Sequence, residues 1–351
     1  MRVIPGVLLA LGLALGGHFL ANLVGVELLG LPRSPISPIM MAILLGIFVR
    51  NLLPVPAVFE PGIRFSLVRI LRLGIVLLGI RLSLSQAGTI GLKSLPVIIL
   101  CVAAALLVVS YVSKRVGLTA RMGTLIAAGT GICGATAIVA LSPTINAKDD
   151  ETSYSVACIT LFGLVAMLAY PFAAHWLFDG DAFRIGLFLG TAVHETAQVV
   201  GAGLVYQEYF GDADVLDTAT VAKLVRNLGM LIVIPLLSIT YHRKSEEGEA
   251  RPGLWSMVPL FVIGFAMMSL LRTTGDMGGP AFGFLPVEIW HEVVGYAKQT
   301  AEICLGIAMA AVGLGTSFSG LKKIGLKPLG VGLFSAVLVG AVSFSLIRLL
   351  Y

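Results

Sequence analysis

Long apolar runs separated by short polar segments organise this sequence. The runs are about 20 residues long, which is the length a helix needs to cross a bilayer, and they lack the alternation of barrel strands. Turns that carry charges, proline or glycine separate them, and no loop is long enough for a soluble domain. The pattern predicts eleven spanning helices. Their approximate bounds are 3–24, 36–53, 66–84, 94–113, 120–142, 154–177, 183–206, 217–241, 255–272, 293–315 and 326–349.

Composition supports the same class. Of the 351 residues 57% are hydrophobic and 12% are charged, and the mean hydropathy is +0.97, whereas soluble domains carry about 25% charged residues. We therefore expect an all-α polytopic membrane protein. Arg2 and the apolar run after it imitate a signal peptide, but the run continues to about Val24 without a small-residue cleavage site, which favours a first spanning helix.

The placement of basic residues predicts the orientation. The formal net charge is +5, and lysine and arginine concentrate in alternate connections, as they do in cytoplasmic loops. The other connections are mainly acidic, and an even number of spans would destroy this alternation. We expect a cytoplasmic N-terminus and an extracytoplasmic C-terminus. No aromatic and basic patch of the RNA-binding type occurs, so nucleic acid is not an expected partner.

A weak internal similarity predicts two inverted repeats. Residues 70–79 resemble residues 225–234, and this offset pairs spans two to six with spans seven to eleven, each pair running in opposite directions. Residues 129–139 also resemble residues 190–200, and Leu73-Gly-Ile resembles Leu305-Gly-Ile, so two other pairings compete. The predicted division is an extra helix in 1–30, a first repeat in 31–180 and a second repeat in 181–351.

The glycine-rich stretch 128–142, AGTGICGATAIVALS, is poor material for a continuous spanning helix. Glycine weakens a helix interior by about 1 kcal/mol relative to alanine, and unwound backbone at membrane depth is tolerated only inside protein or beside a cavity. We expect an interrupted helix whose free amides and half-helix ends form part of a binding site. Close helix packing through small residues is the alternative.

Ionisable residues inside the spans are further candidates, because a charge at membrane depth is costly. Span seven holds His194, Glu195 and Gln198, and Glu195 could carry a proton or pair with a cation. Span eight holds Lys223 and Arg226 one turn apart. A guanidinium suits an oxyanion, although structural hydrogen bonds, pairing with Glu195 or snorkelling would also explain these residues.

Several other functions lack their motifs. The four cysteines, Cys101, Cys133, Cys158 and Cys304, lie in apolar runs without metal or disulfide spacing, so they are expected to pack as small apolar residues, with Cys133 able to line the site. No nucleotide-binding loop is present. His194-Glu195 begins a zinc-protease motif whose second histidine is replaced by Gln198. We expect neither an enzyme nor a cofactor or metal.

Three motifs, at 129–140, 194–203 and 223–226, together resemble the bacterial sulfate exporter family, a group of uncharacterised membrane proteins. That family is similar to the larger group of cation–proton antiporters and bile-acid sodium symporters. The resemblance implies the bacterial inner membrane, inverted five-helix repeats and elevator-like alternating access. It also implies a crossing of two broken helices, the fourth of each repeat, which would be spans five and ten.

The sequence thus predicts a secondary active transporter of a small anion such as sulfate, an organosulfonate or a carboxylate, coupled to protons or sodium. An ion channel is the alternative, an intramembrane hydrolase is a remote one, and a homodimer stays open. The predicted substrate-binding residues are Gly129, Thr130, Gly131, Cys133, Gly134, Thr136, Gln198, Lys223, Arg226 and Asn227. The predicted coupling residues are His194, Glu195 and Glu302, although Glu302 could simply pair with Lys298 at i,i+4.

Overall fold

The computed structural model of the chain describes residues 2–28, 37–242, 260–278, 280–317 and 325–351. Within these ranges the regular structure is helical, and the only extended pairing is an isolated bridge between Ala281 and Leu285. The predicted all-α class is confirmed. By length and composition, six helices of the described part can cross a membrane: Ile4–Asn22, Leu84–Val116, Asp149–Leu177, Asp214–Leu237, Val287–Gly315 and Leu326–Leu350. The count of eleven spans stays a prediction.

In chain order the α-helices are α1 Ile4–Asn22, α2 Pro38–Leu52, α3 Glu60–Phe65, α4 Leu71–Leu78, α5 Leu84–Ala104, α6 Ser110–Val116, α7 Ala120–Gly131, α8 Ala135–Leu141, α9 Asp149–Leu177, α10 Ala182–Ala192, α11 Thr196–Phe210, α12 Asp214–Leu228, α13 Met230–His242, α14 Leu260–Gly275, α15 Val287–Gly315 and α16 Leu326–Leu350. A π-helical segment, Ala105–Val109, joins α5 to α6 without a break.

Local sequence signals set several helix ends. Ser37, Thr119 and Asp181 precede α2, α7 and α10, and each side chain accepts a hydrogen bond from a backbone amide of the first turn. Such caps satisfy amides that have no partner within the helix. Helix α6 ends at Val116, and the next residue, Gly117, has a φ of +82°, the left-handed conformation that glycine adopts at helix ends.

The first of two compact units comprises the described residues within Met1–Thr89, Gly203–Asp217 and Leu260–Phe318. In this unit α15 packs against α1, α2 and α4. Its contact with α2 is close because glycines face each other there: a Cβ on Gly46 would lie 2.5 Å from the carbonyl oxygen of Ala310 and 2.9 Å from the Cα of Gly313. Small residues thus bring two backbones together.

The second unit comprises the described residues within Ile90–Ala202, Thr218–Pro259 and Ser319–Tyr351. Helix α7 packs against α9, α16 and the π-helical segment, and α10 packs against α9 and α16. Fully buried apolar side chains fill the space around α7 and α8, among them Leu125, Ile126, Ile138 and Ile159. This unit contains nearly all of the sequence-predicted site residues.

The interruption predicted for span five is confirmed, since α7 ends at Gly131 and α8 begins at Ala135. The interruption implied for span ten is wrong. Helix α15 is continuous through Val287–Gly315, and its Gly313 serves close packing against α2.

The second interrupted helix is span seven, predicted as a continuous helix over 183–206. Helix α10 ends at Ala192 and α11 begins at Thr196. When residues 190–200 are aligned with the similar residues 129–139, these two helix ends fall at the same positions as the end of α7 and the start of α8. The two inverted five-helix repeats and their boundaries stay a prediction, without the support that a break in span ten would have given.

Candidate functional site

Two helix interruptions meet in the second unit. In the first, Ile132 has φ −120° and ψ −90°, and Gly134 has φ +70° and ψ −132°. The Gly134 backbone is accessible to glycine and strained for other residues. The second interruption lies at Val193–Glu195, and the side chain of Glu195 occupies the space beside the Cα of Gly134. The interruptions therefore contact each other directly.

Lys223 of α12 binds the backbone carbonyls of both interruptions. Its Nζ donates to the carbonyl oxygens of Ile132 at 3.0 Å and Val193 at 3.1 Å, and also to that of His194. The side chain is fully buried. A lysine ammonium has three hydrogen-bond donors, so backbone oxygens account for all three.

Arg226, one turn further along α12, also binds backbone carbonyls where α7 and α10 end. Its Nε donates to Gly131 at 2.7 Å, and Nη1 donates to Thr191 at 2.6 Å and to Val193 at 3.2 Å. Nη2 donates to the carbonyl of Thr130. These oxygens are the unpaired ends of α7 and α10, where the helix dipole favours a positive charge. Two buried cations thus cap two helix C-termini.

Glu195 provides the negative charge of the site. Its Oε1 accepts from the Thr160 hydroxyl at 3.1 Å and from the backbone amide of Ala135 at 3.4 Å, at the start of α8. Gln198 holds this arrangement: its Oε1 accepts from the Glu195 amide at 3.2 Å, and its Nε2 donates to the Thr160 carbonyl at 3.0 Å. Glu195 keeps part of its surface exposed, unlike the two buried cations.

With Lys223, Arg226 and Glu195 all ionised, the described side chains at the two interruptions leave one uncompensated charge. Lys223 and Arg226 carry two positive charges, and ionised Glu195 carries one negative charge. Lys223 is near enough to act electrostatically on Glu195. A net positive charge at membrane depth is costly unless something compensates it.

The structure places other predicted residues around this centre. Asn227 donates from Nδ2 to the Thr196 hydroxyl at 3.1 Å, Thr130 donates to Ser335 of α16 at 3.1 Å, and Cys133 Sγ lies 3.3 Å from Met230 Sδ. Thr136 is exposed. Gly129 faces Ile138 and Ile159, where a Cβ would lie 2.7 Å from the Ile138 Cδ1, so its role is packing.

His194 is unusual because it is fully buried and neither ring nitrogen has a hydrogen-bond partner among the described residues. The Oδ1 of Asn227 is also buried and unpartnered. Most buried polar atoms in proteins are hydrogen-bonded, so these atoms are candidates for contact with a bound species.

Glu302, the remaining predicted coupling residue, belongs to the first unit. Its carboxylate lies 3.8 Å from the guanidinium of Arg81, which in turn pairs with Asp217 at 2.7 Å. The structure therefore assigns Glu302 to a different charged group from the one around Glu195, and its i,i+4 neighbour Lys298 is not among its described ion-pair partners.

Sequence reasoning missed two groups of the site. One is Thr160, which lies in an apolar stretch of α9 and hydrogen-bonds Glu195. The other is the buried pair of hydroxyls formed by Thr191 and Ser343, 2.7 Å apart. Hydroxyls in spanning helices commonly bond their own backbone, so the sequence contains no signal for these contacts. Within the described ranges, no cluster of three or more histidine, cysteine or acidic residues could hold a metal ion.

Comparison with known proteins finds one matching family and a set of relatives. The family described as conserved hypothetical protein 698 matches residues 5–332. A UPF0324 membrane protein of Streptococcus agalactiae serotype V is 34% identical over 306 residues, covering 87% of this chain and 88% of its own. Those of Chlorobaculum tepidum and Agrobacterium fabrum are 32% and 34% identical, covering 96% and 99% of this chain and 88% and 93% of their own. No solved structure matches the chain.

Proposed function

This chain belongs to the family described as conserved hypothetical protein 698, and we propose that it is a secondary active transporter of a small anion. The observation that carries the proposal is the excess positive charge of Lys223 and Arg226 over Glu195 where two interrupted helices meet. An anion would compensate that charge, and interrupted helices in membrane transporters typically surround the substrate.

The cations act on the substrate mainly through their field. Backbone carbonyls use all three donors of Lys223 and four N–H donations of Arg226, out of the five that a guanidinium has. Direct contacts would come from groups with exposed surface beside Glu195, namely Thr136, Thr160 and Thr196. Such hydroxyls suit sulfate, an organosulfonate or a carboxylate.

The proposed architecture has eleven spans, with an extra first helix before two inverted five-helix repeats. It crosses the bacterial inner membrane with the N-terminus in the cytoplasm and the C-terminus outside. Transport proceeds by elevator-like alternating access and is coupled to protons or sodium, with Glu195, His194 and Glu302 as the candidate coupling residues. The apolar helices and the names of the relatives support a membrane location.

The test is flux into proteoliposomes that contain the purified protein. Labelled sulfate and a labelled organosulfonate should enter with saturable kinetics under a proton or sodium gradient, and Arg226→Met should abolish entry. Arg50→Met is the matched control, because Arg50 forms a partly exposed pair with Glu60. Failure of an oxyanion panel to move under any gradient would refute the proposal, and ion currents far above carrier turnover would identify a channel.

A further inference from the structure

Charge balance at the buried site leads to an inference that rests on the proposed function and defines how it handles anions of different valence. We propose that the site binds a monoanion by itself and a dianion together with one proton, and that Glu195 holds this proton.

The contacts of both cations favour their charged forms. Loss of a proton from Lys223 would leave one of the carbonyls of Ile132, Val193 and His194 without its donor, in a fully buried place. An unpartnered buried carbonyl is costly, and arginine stays protonated in proteins. We therefore assign the site two positive charges throughout.

The Glu195 carboxylate is the group whose protonation state can change. Ionised Glu195 leaves a net charge of +1, which one monoanion balances. Protonated Glu195 leaves +2, which a dianion such as sulfate balances. The hydrogen bonds described for this side chain all involve Oε1, so Oε2 can take a proton from solution without breaking any of them. Its partial exposure gives the proton access.

The other groups around Glu195 are poorer carriers. His194 is fully buried near Lys223 and Arg226, and burial together with their charges opposes a third cation there. Burial favours the neutral thiol of Cys133 at the first interruption, which already holds its proton and cannot take up another. From α9 the Thr160 hydroxyl contacts Glu195, and from α16 the hydroxyls of Ser335 and Ser343 contact Thr130 and Thr191. None of these hydroxyls titrates in the physiological range.

The test compares sulfate with methanesulfonate on purified protein by calorimetry in two buffers of different ionisation enthalpy. Binding of sulfate should be accompanied by the uptake of one proton more than binding of methanesulfonate, whatever the protonation state of the empty site. The ratio of the two affinities should then change about tenfold per pH unit in favour of sulfate as pH falls. This comparison requires no variant.

Variants identify the residue that holds the proton. Glu195→Gln should abolish the difference in proton uptake and make the affinity ratio independent of pH, whereas the surface control Glu60→Gln should keep both. Equal proton uptake for the two anions in the unmutated protein would overturn the inference and leave the proposed function standing. Absence of any anion binding would overturn the proposed function. A difference that survives in Glu195→Gln and disappears in His194→Gln would overturn the assignment to Glu195.

Discussion

The side chain of Glu195 lies where a Cβ on Gly134 would have to be, so that the added atom would overlap the Cγ of Glu195. Gly134 also has a backbone conformation, φ +70° and ψ −132°, that suits glycine. The glycine of the first interruption therefore leaves the space that the Glu195 side chain of the second interruption occupies. Close packing and backbone conformation at one residue thus constrain the position of Glu195, the acid described at this site.

Gly134→Ala should consequently both strain the backbone and displace Glu195. We expect a loss of about 1–3 kcal/mol in the free energy of unfolding, together with weaker anion binding because the carboxylate moves. Thermal unfolding in detergent and calorimetric titration with sulfate measure the two effects. Gly295→Ala is the control, because a Cβ there meets no atom within 4 Å. Unchanged binding in Gly134→Ala would show that the position of Glu195 does not matter for the substrate.

Arg226→Met should destabilise the protein strongly, because it removes the donor from carbonyls at the ends of α7 and α10. Breaking a buried charged contact typically costs about 3–5 kcal/mol. Arg226→Lys should have an intermediate effect, since it keeps the charge but has three N–H donors instead of five. Thermal unfolding should place Arg50→Met, at a partly exposed pair, within about 1 kcal/mol of the parent. Equal effects of the Arg226 and Arg50 substitutions would contradict the capping role.

Gly163→Ala should disturb the site from the side of α9. A Cβ on Gly163 would overlap the amide of Gln198, which bonds the Thr160 carbonyl and the Glu195 amide. Overpacking typically costs about 1–3 kcal/mol, and we expect anion affinity to fall with stability. Gly330→Ala has no neighbour within 4 Å of its Cβ and should change neither quantity. Lost stability with intact affinity would mean that Gln198 only supports packing.

The glycine pattern allowed the first interruption to be predicted, whereas the break implied by the resemblance misplaced the second. At 129–134 glycine is required by the conformation of Gly134, whereas in α15 Gly313 allows close packing against Gly46. Both positions are simply glycine in a sequence, and the packing partner is distant in the chain. The break at Val193–Glu195 contains no glycine, and only its similarity to 129–139 pointed there.

The spacing of Lys223 and Arg226 correctly predicted that both lie on one helix face. It did not predict what that face contacts. Their partners are backbone carbonyls of Gly131, Thr191 and Val193. Backbone ligands depend on where helices end and on how they approach each other, and every residue has a carbonyl. The sequence therefore indicated that two positive charges are buried, but only the structure shows that they cap helix C-termini.

The carboxyl of Asp276, which lies between two spans, gives a pH-dependent prediction that does not depend on transport. Asp276, just after α14, accepts from Trp290 Nε1 at 2.8 Å and from Arg272 Nε at 2.5 Å. Burial acts to raise the pKa of the Asp276 carboxyl, but these hydrogen bonds and the charges of Arg272 and His291 outweigh it and lower the pKa below its usual value.

Because the folded-state pKa of Asp276 is lowered, its contribution to stability is complete above the pKa of the unfolded chain, about 3.9. That contribution is lost as pH falls through the lower, folded-state pKa. The indole of Trp290 should then lose its charged acceptor, and its fluorescence should change below about pH 4. The chain has three tryptophans, so the measurement needs Trp176 and Trp255 replaced by phenylalanine. Asp276→Asn in that background keeps an acceptor oxygen without the charge and should show no such transition. The same transition in both proteins would place its origin elsewhere.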